Sequence, residues 1–357
     1  GDRDVQGVVF ACAYLKRELI ERIGGLSEDF ESYFEDTDYC LRAREAGFRT
    51  VCCGAVTLVH DEHGSTSGDR SLFDALFRKS RATFRAKWLA RLEARYERDV
   101  TWQSILNFPT GYAMSCRGLL KGLDACGVRA RYEYVYGRGT PFPVAEPPDS
   151  GDYVLNVIAG RARERRPRVA VVYGQGDVFR RTRGRHRVGY TMLEVDGFPR
   201  SWVEQANALD EVWVPSSFNR DGFLRSGLKK PVHVMPLGVD TDHFHPAIRA
   251  HRNPHGDFVF LANFEWGERK APELLLRTFN RTFRASDPVV LVCKTINRDP
   301  SVDVRAKIRA LQLAETGGRV LFLHNVVFPY LELGSLYRSA DAYVSVSRGE
   351  GWDMPLI

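Results

Sequence analysis

The chain ends with the stretch SRGEGWDMPLI, in which one carboxylate, Glu350, stands between Gly349 and Gly351. A carboxylate accepts hydrogen bonds from adjacent sugar hydroxyls, and glycines let the backbone approach a ligand closely. The stretch FEWGERKAPELLL places Arg269 beside Lys270. Two fixed cations can hold a diphosphate and neutralise it as a leaving group. The two stretches suit a diphosphate-linked sugar, although each is also compatible with a solvated polar loop.

A second set of acidic residues begins the helix-like stretch EDTDYCLRAREAGF, with Glu35, Asp36 and Asp38 in its first turn. A carboxylate can take the proton of an attacking hydroxyl group. Acidic residues at a helix start are also favourable for the helix dipole alone, so the pattern has a purely structural interpretation. His60 follows a later strand-like stretch and is a candidate metal ligand, although a lone histidine usually is not one.

The composition limits the class of protein that can carry these residues. The chain has 357 residues, of which 44% are hydrophobic and 27% charged, which is typical of a globular protein of two or three domains. With 51 Lys and Arg against 45 Asp and Glu, the chain is only mildly basic. No apolar run approaches the ~18 residues that a membrane-spanning helix needs. The cysteines form no C-x-x-C pair and do not indicate a disulfide framework.

The elements that must position Arg269, Lys270 and Glu350 alternate between strand and helix from residue 99 onward. Strand-like runs such as VTWQSILNF, PRVAVVYG, FVFLANF, PVVLVCK and AYVSVS are separated by helical stretches. This alternation predicts α/β structure with parallel sheets and crossover helices. We expect two Rossmann-like doubly wound domains, at 99–250 and 251–357, with a hinge near 246–256.

The first hundred residues have a different pattern. VVFACAYL predicts a buried strand, two short helices follow, and RTVCCGAVTLVH is strand-like. These features delimit a first domain at 1–70. Residues 71–98 predict one amphipathic linking helix with a basic face. That helix either packs on its own domain or lies on anionic lipid head groups.

Residues 99–357 resemble a retaining glycosyltransferase of family 4 type, which has the GT-B fold. The resemblance rests on PSSFNRDGFLRSG, VHVMPLGVDTDHFHP, GERKAPELLLRTF and SRGEGWDMPL. It implies a catalytic Glu350, with Arg269, Lys270, Gly349 and Gly351 binding the donor. It also implies that Gly111 and Glu194 belong to the acceptor side, and that this module needs no metal.

The family pattern and this sequence differ at two positions and at the end of the chain. Family members often carry arginine where Glu265 stands, and glycine where Asp353 stands. In the family a second glutamate, which binds ribose, follows the first by eight positions; here that position would be 358. We therefore expect the GT-B domain to be truncated at its C-terminus.

Residues 1–70 resemble the C-terminal half of an inverting, family 2 type glycosyltransferase with a GT-A fold. The matching run is GGLSEDFESYFEDTDYCLRAREAGFRT, followed by AVTLVH. The resemblance implies that Glu35 and Asp36 face the acceptor and that Asp36 is the general base. It also implies that His60 helps to hold a divalent cation, Mn or Mg, which offsets the charge of the donor diphosphate.

Together the two resemblances imply a fragment of a tandem, bifunctional hexosyltransferase. Its partners would be a nucleotide-sugar donor and a glycan or lipid-linked glycan acceptor, in bacterial surface polysaccharide synthesis. We expect a cytoplasmic protein, with peripheral membrane contact through 71–98 as an addition, and no nucleic-acid partner. The alternatives are another sugar-nucleotide enzyme, such as an epimerase, and a nucleic-acid or anionic-polymer binder suggested by RARERRPR and RRTRGRHR.

Overall fold

The computed structural model describes residues 3–59, 70–241, 243–251, 255–297, 301–328 and 330–357. The chain divides into two compact units, Gly1–Glu97 and Arg98–Ile357. The predicted domain boundaries at 70, 98 and 250 stay predictions. None of the helices in these ranges is both long and apolar enough to cross a membrane.

The first unit contains three helices and a small antiparallel sheet among its described residues. Its elements are β1 (Arg3–Val5), α1 (Arg17–Ile23), α2 (Glu35–Glu45), β2 (Thr50–Cys52) and α3 (Arg70–Glu93). Helix α1 ends at Gly24, whose φ of 75° is left-handed and favours glycine. A GT-A domain stays a prediction, since two short paired strands do not define one.

The strand predicted for VVFACAYL is wrong, because residues 8–15 form turns and irregular structure. Val9 and Tyr14 are largely exposed, at 70% and 91%. An apolar run becomes a buried strand only where a neighbouring strand satisfies its backbone groups. Among the described residues of this unit, β1 and β2 pair only with each other.

The aromatic side chains of α3 pack against other residues of the first unit. Phe73 and Phe77 contact Tyr33, and Phe77 and Phe84 contact Phe34. This packing supports the interpretation of α3 as a domain helix, whereas contact with a membrane stays a prediction.

Asp38 joins α2 to α3 inside the first unit. Its carboxylate is fully buried and accepts hydrogen bonds from Arg42 at 2.8 Å and Trp88 at 2.8 Å, and it forms an ion pair with Lys87 at 2.9 Å. Burial alone would raise the pKa of Asp38, but the hydrogen bonds from Lys87, Trp88 and Arg42 lower it below the ordinary value.

The second unit begins with a six-stranded, wholly parallel sheet in the order β4-β3-β5-β6-β7-β8. Its strands are β3 (Arg98–Ser104), β4 (Val128–Tyr134), β5 (Val169–Tyr173), β6 (His186–Tyr190), β7 (Glu211–Val214) and β8 (Val232–Val234). Its helices are α4 (Gly111–Ala125), α5 (Tyr153–Ala159), α6 (Arg200–Ala206) and α7 (Ser217–Arg225).

A separate four-stranded parallel sheet follows, in the order β11-β10-β9-β12. Its strands are β9 (Phe258–Phe264), β10 (Val289–Thr295), β11 (Arg319–His324) and β12 (Ala342–Tyr343). Its helices are α8 (Pro272–Thr282), α9 (Val304–Ala310) and α10 (Tyr330–Arg338). The prediction of two parallel sheets connected by helices is confirmed.

In each sheet the strand order reverses beside the first strand. The reversal lies between β3 and β5 in the first sheet, and between β9 and β12 in the second. In open α/β sheets a crevice forms outside the carboxyl ends of the strands at this point, and ligands bind there.

Strand β6 was not predicted, because its sequence HRVGY begins with two polar residues and contains glycine. The glycine is needed for packing. A Cβ on Gly189 would lie 2.5 Å from the Leu209 side chain and 2.8 Å from the Phe179 ring. Leu209 and Phe179 therefore fill the space that an apolar side chain of a central strand usually occupies.

Asp38→Asn should destabilise the first unit, because it removes the charge that Lys87 and Arg42 share. Breaking a buried ion pair costs about 3–5 kcal/mol. The matched control is Glu31→Gln, since the pair of Glu31 with Lys79 is exposed and is worth about 0–1 kcal/mol.

Hydrogen exchange of the α2 and α3 amides in the intact chain would measure the two losses. The lowered pKa adds a pH test: the contribution of Asp38 is present above the unfolded-state pKa and is lost as the pH falls through the folded-state pKa. Equal protection in both variants at neutral pH would contradict this account.

Candidate functional site

Two loops at the carboxyl edge of the second sheet meet at its switch point. After β9 the chain forms a single 3₁₀ turn, Glu268–Lys270, and α8 begins at Pro272. After β12 the chain continues through Ser347, and the Arg348 amide donates to the carbonyl of Arg269 at 2.8 Å. The cations of GERK and the carboxylate of GEG are thereby brought together at the switch point.

Glu350 lies between the two cations. Lys270 Nζ is 2.5 Å from Glu350 Oε1, and Arg269 Nη1 is 3.1 Å from Glu350 Oε2. The same guanidinium nitrogen donates to the Gly349 carbonyl at 2.7 Å and lies 3.4 Å from Glu194 Oε1. The structure thus brings together Arg269, Lys270, Glu350, Gly349 and Glu194, which were selected from separate parts of the sequence.

The two carboxyl groups of the C-terminal loop have opposite pKa shifts. Burial would raise the pKa of Glu350, but the hydrogen bonds from Lys270 and Ser347 and the two nearby cations lower it below the ordinary value. Burial and the charge of Glu350 raise the pKa of Asp353. Glu350 is therefore held as an anion, whereas Asp353 takes up a proton more readily than an exposed aspartate.

The space beside Lys270 is almost filled by the protein's own side chains. The cavity there has a volume of about 10 Å³ and is lined by residues that include Asn263, Ser345, Ser347 and Asp353. Such a cavity has room for about one water molecule. On its other side, Lys270 is occupied by the carboxylate of Glu350.

The glycines around Glu350 allow two parts of the chain to pack closely. A Cβ on Gly349 would lie 2.9 Å from the Glu194 carbonyl oxygen, and one on Gly351 would lie 2.7 Å from the Met192 side chain. Residues 192 and 194 follow β6 in the first sheet. The glycines were expected to let the backbone approach a ligand closely. In the structure they let the backbone approach residues 192 and 194 of the same chain.

Gly111 is the first residue of α4, directly after the loop that follows β3. The Thr110 hydroxyl caps this helix by accepting from the Ala113 amide at 3.2 Å, and a Cβ on Gly111 would meet nothing within 4 Å. Gly111 therefore lies in open space at the switch point of the first sheet, and none of the described contacts joins it to Glu350.

Sequence reasoning missed Lys294, near the end of β10. This lysine is 6% exposed, and burial lowers its pKa. It stands beside Asn263 in the ladder between β10 and β9, and no acidic residue within the described ranges pairs with it. Lys294 ends the apolar run PVVLVCK, and the rarity of buried unpaired lysine makes it an unusual residue there.

In the first unit, Glu35 and Asp36 begin α2 as predicted from the sequence. Asp36 Oδ1 accepts from the Thr37 amide at 2.6 Å and the Thr37 hydroxyl at 3.1 Å, and Glu35 Oε2 is buried with no hydrogen-bond partner in the described structure. Tyr33 and Phe34, directly before them, have φ of 67° and 68°. Two adjacent left-handed bulky residues are strained, and such strain clusters at functional sites.

The predicted metal ligand His60 lies outside the described residues. Within the described ranges, no group of three or more His, Cys, Asp or Glu residues is arranged to hold a metal ion. A divalent cation stays a prediction.

No protein-family model matches the chain. The O-antigen biosynthesis protein RfbC of Myxococcus xanthus is 36% identical over 67 residues, which are 19% of this chain and 5% of that protein. The uncharacterized protein y4gI of Sinorhizobium fredii is 36% identical over 64 residues, which are 18% of this chain and 7% of that protein. The matched part is thus a small fraction of each relative.

The second comparison is with solved structures. The α,α-trehalose 6-phosphate synthase from Burkholderia multivorans aligns with a TM-score of 0.50 and 12% identity, over 71% of this chain and 79% of that chain. Staphylococcus aureus TarM, solved with UDP, aligns over 51% of this chain and 37% of that chain, with 14% identity and a TM-score of 0.39. The likeness to the synthase shows a fold of the GT-B kind.

Gly349→Ala should loosen the C-terminal loop, because the new methyl group meets the Glu194 backbone, which cannot rotate away. We expect a loss of about 1–3 kcal/mol in the free energy of unfolding of the second unit. Gly351→Ala should cost less, since its methyl group meets the flexible Met192 side chain. Urea denaturation of the intact chain would compare them.

The control is Gly267→Ala in the opposing loop. Gly267 is extended, with φ of −158°, and its Cβ would meet nothing within 4 Å. It should change stability by no more than about 0.5 kcal/mol. If Gly349→Ala changed the free energy of unfolding as little as this control, the close packing of the C-terminal loop against Glu194 would be contradicted.

Proposed function

We propose that the second unit transfers a sugar from a nucleotide-sugar donor to a glycan acceptor, as a retaining glycosyltransferase. The observation that carries this proposal is the convergence of Arg269, Lys270 and Glu350 at the switch point of the second sheet. Two cations and a carboxylate at the carboxyl edge of a parallel sheet suit a ligand that contains both phosphates and hydroxyl groups.

Lys270 and Arg269 bind the diphosphate of the donor in this proposal. When the bond between the sugar and the diphosphate breaks, negative charge grows on the leaving phosphate oxygen. Fixed cations stabilise that charge more in the transition state than in the bound donor, which accelerates the reaction. Arginine supplies a planar pair of donors for phosphate oxygens, and lysine a compact point charge.

Glu350 has two states in this account. Without a donor, its carboxylate pairs with Lys270 and Arg269 and fills the space beside them. When the donor binds, its diphosphate takes over both cations and Glu350 turns to the sugar, where it accepts hydrogen bonds from hydroxyl groups. In the absence of a donor, the carboxylate therefore keeps Lys270 and Arg269 paired and in position.

The acceptor enters from the first sheet. Glu194 is 3.4 Å from Arg269, and Gly111 leaves open space where β3 ends. The fold shared with a trehalose 6-phosphate synthase and the short match to an O-antigen biosynthesis protein support sugar transfer. We propose a hexosyl donor and a glycan or lipid-linked glycan acceptor of a bacterial surface polysaccharide.

For the first unit we propose the C-terminal part of an inverting, GT-A type glycosyltransferase, which makes the whole chain bifunctional. Asp36 is its general base and Glu35 its neighbour on the acceptor side. The strained backbone at Tyr33 and Phe34, directly before them, supports a functional role. A divalent cation bound with the help of His60 belongs to this proposal.

Lys270→Ala and Glu350→Gln should separate the roles of the cation and the carboxylate. Lys270→Ala should weaken binding of a bare nucleoside diphosphate by roughly tenfold or more, because a charge-assisted hydrogen bond is worth about 1.5–3 kcal/mol. Glu350→Gln should bind it at least as tightly as the wild type, since the competing carboxylate is gone. The same variant should bind the intact nucleotide sugar less tightly.

Calorimetry on the intact chain, with UDP, GDP, ADP and CDP and their glucose conjugates, would measure these affinities. Arg348→Ala is the matched control, because Arg348 lies in the same loop but pairs with the exposed Glu268. It should leave every affinity within about twofold of the wild type. Equal weakening of the bare and sugar-linked nucleotides by Glu350→Gln would contradict the proposed role of this carboxylate.

A further inference from the structure

A second cleft lies away from the Lys270 site. It has a volume of about 610 Å³. The cleft is lined by five arginines and two small residues: Arg165, Arg166, Thr182, Arg183, Gly184, Arg185 and Arg187. It lies at the amino edge of the first sheet, where β5 and β6 begin, whereas Gly111 lies at the carboxyl edge.

The fold brings two arginine-rich segments together to form this cleft. RARERRPR precedes β5, and RRTRGRHR leads into β6 and includes its first two residues; these strands are neighbours in the sheet. The Arg185 amide donates to the Pro167 carbonyl at 2.9 Å, and the His186 amide to the Arg168 carbonyl at 3.0 Å. The two segments are therefore held side by side by their backbones.

Gly184 fixes the second segment against the sheet. A Cβ at this position would lie 2.9 Å from the Ala170 Cβ and 3.2 Å from the His186 carbonyl oxygen. Thr182, two residues earlier, is only 6% exposed, and its hydroxyl has no hydrogen-bond partner among the described residues. The loop that carries the arginines is therefore closely packed, and it holds one buried polar group that its own fold leaves unsatisfied.

The arginine side chains of these two segments differ in their partners. Arg161 and Arg181 turn inward: Arg161 donates to the Ala130 carbonyl, and Arg181 to the carbonyls of residues 135, 136 and 138. In contrast, four cleft arginines form no ion pair with any residue that the structure describes, namely Arg165, Arg166, Arg183 and Arg185. The nearby acids are occupied, because Glu164 pairs with Arg131 and Asp210 with Arg187.

We propose that this cleft binds a ligand with two or more phosphate groups, at a site separate from the Lys270 site. A concave surface lined by charge of one sign focuses the field and attracts counter-ions. Guanidinium groups match phosphate oxygens in a bidentate manner and lose little hydration on binding. No aromatic side chain is among the described residues that line the cleft, so it offers no stacking surface for a base or a sugar ring.

Inorganic pyrophosphate is the probe for this site, with calorimetry on the intact chain. The variant is Arg165→Gln with Arg183→Gln, which removes one charge from each segment. The matched control is Arg200→Gln with Arg220→Gln, which removes the same charge from exposed arginines elsewhere in the unit. Because the two cleft arginines have no described partners, thermal unfolding should be unchanged.

Both arginine pairs are replaced in the Lys270→Ala background, because the proposed donor site would also take up pyrophosphate. In that background we expect the cleft variant to weaken pyrophosphate binding at least tenfold, while the control stays within twofold of Lys270→Ala alone. Binding at the cleft should survive Lys270→Ala, which separates it from the donor site. Equal weakening in the cleft variant and the control, or loss of all binding in Lys270→Ala, would overturn the proposal.

Two further measurements identify the source of the phosphate. Cosedimentation with vesicles of phosphatidylglycerol, but not of phosphatidylcholine, that is lost in the cleft variant would assign the site to lipid head groups. Binding of pyrophosphate without vesicle binding would assign it to a soluble phosphorylated ligand. Binding of duplex DNA alone, with no binding of pyrophosphate or of vesicles, would overturn the proposal in favour of a nucleic-acid surface.

Discussion

The ion pair between Lys270 and Glu350 is the interaction on which the candidate site depends. It joins the loop after β9 to the loop after β12 across the switch point, and both side chains are less than one fifth exposed. Deletion of Glu350 from this partly buried pair is costly, because it leaves the Lys270 charge without its anion. In the proposed function a ligand replaces this pair, since a diphosphate offers both cations an equivalent anion. The site would then be ordered before the donor binds.

The two glycines beside Glu350 make this arrangement possible. Gly349 and Gly351 bring the C-terminal loop against residues 192 and 194 of the first sheet, with no space for a Cβ. That packing brings Glu194 close to Arg269, so elements of both sheets contribute to one electrostatic cluster. Asp353 closes the loop with a φ of 52°, a left-handed conformation that favours glycine. The family resemblance implied glycine at this position, and the backbone gives a physical reason for it.

Much of the fold could be predicted from the sequence, because FVFLANF and PVVLVCK are apolar runs that alternate with helices. VVFACAYL is equally apolar but forms no strand, since strand formation requires a partner that the run itself does not specify. Strand β6 was missed for the opposite reason: the space beside Gly189 is filled by Phe179 and Leu209, which come near it only in the folded chain.

In the site, parallel topology predicted that Arg269, Lys270 and Glu350 meet. The pairing of Glu350 with the cations and the burial of Lys294 depend on side-chain packing, which sequence spacing does not encode.

A crystal structure of the chain soaked with UDP would test the central claim most directly. The account predicts a diphosphate within hydrogen-bond distance of Lys270 Nζ and the Arg269 guanidinium. It also predicts that the Glu350 carboxylate moves out of contact with Lys270 and leaves its place to a phosphate oxygen. UDP bound elsewhere on the second unit, with the contact between Lys270 and Glu350 unchanged at 2.5 Å, would contradict the account.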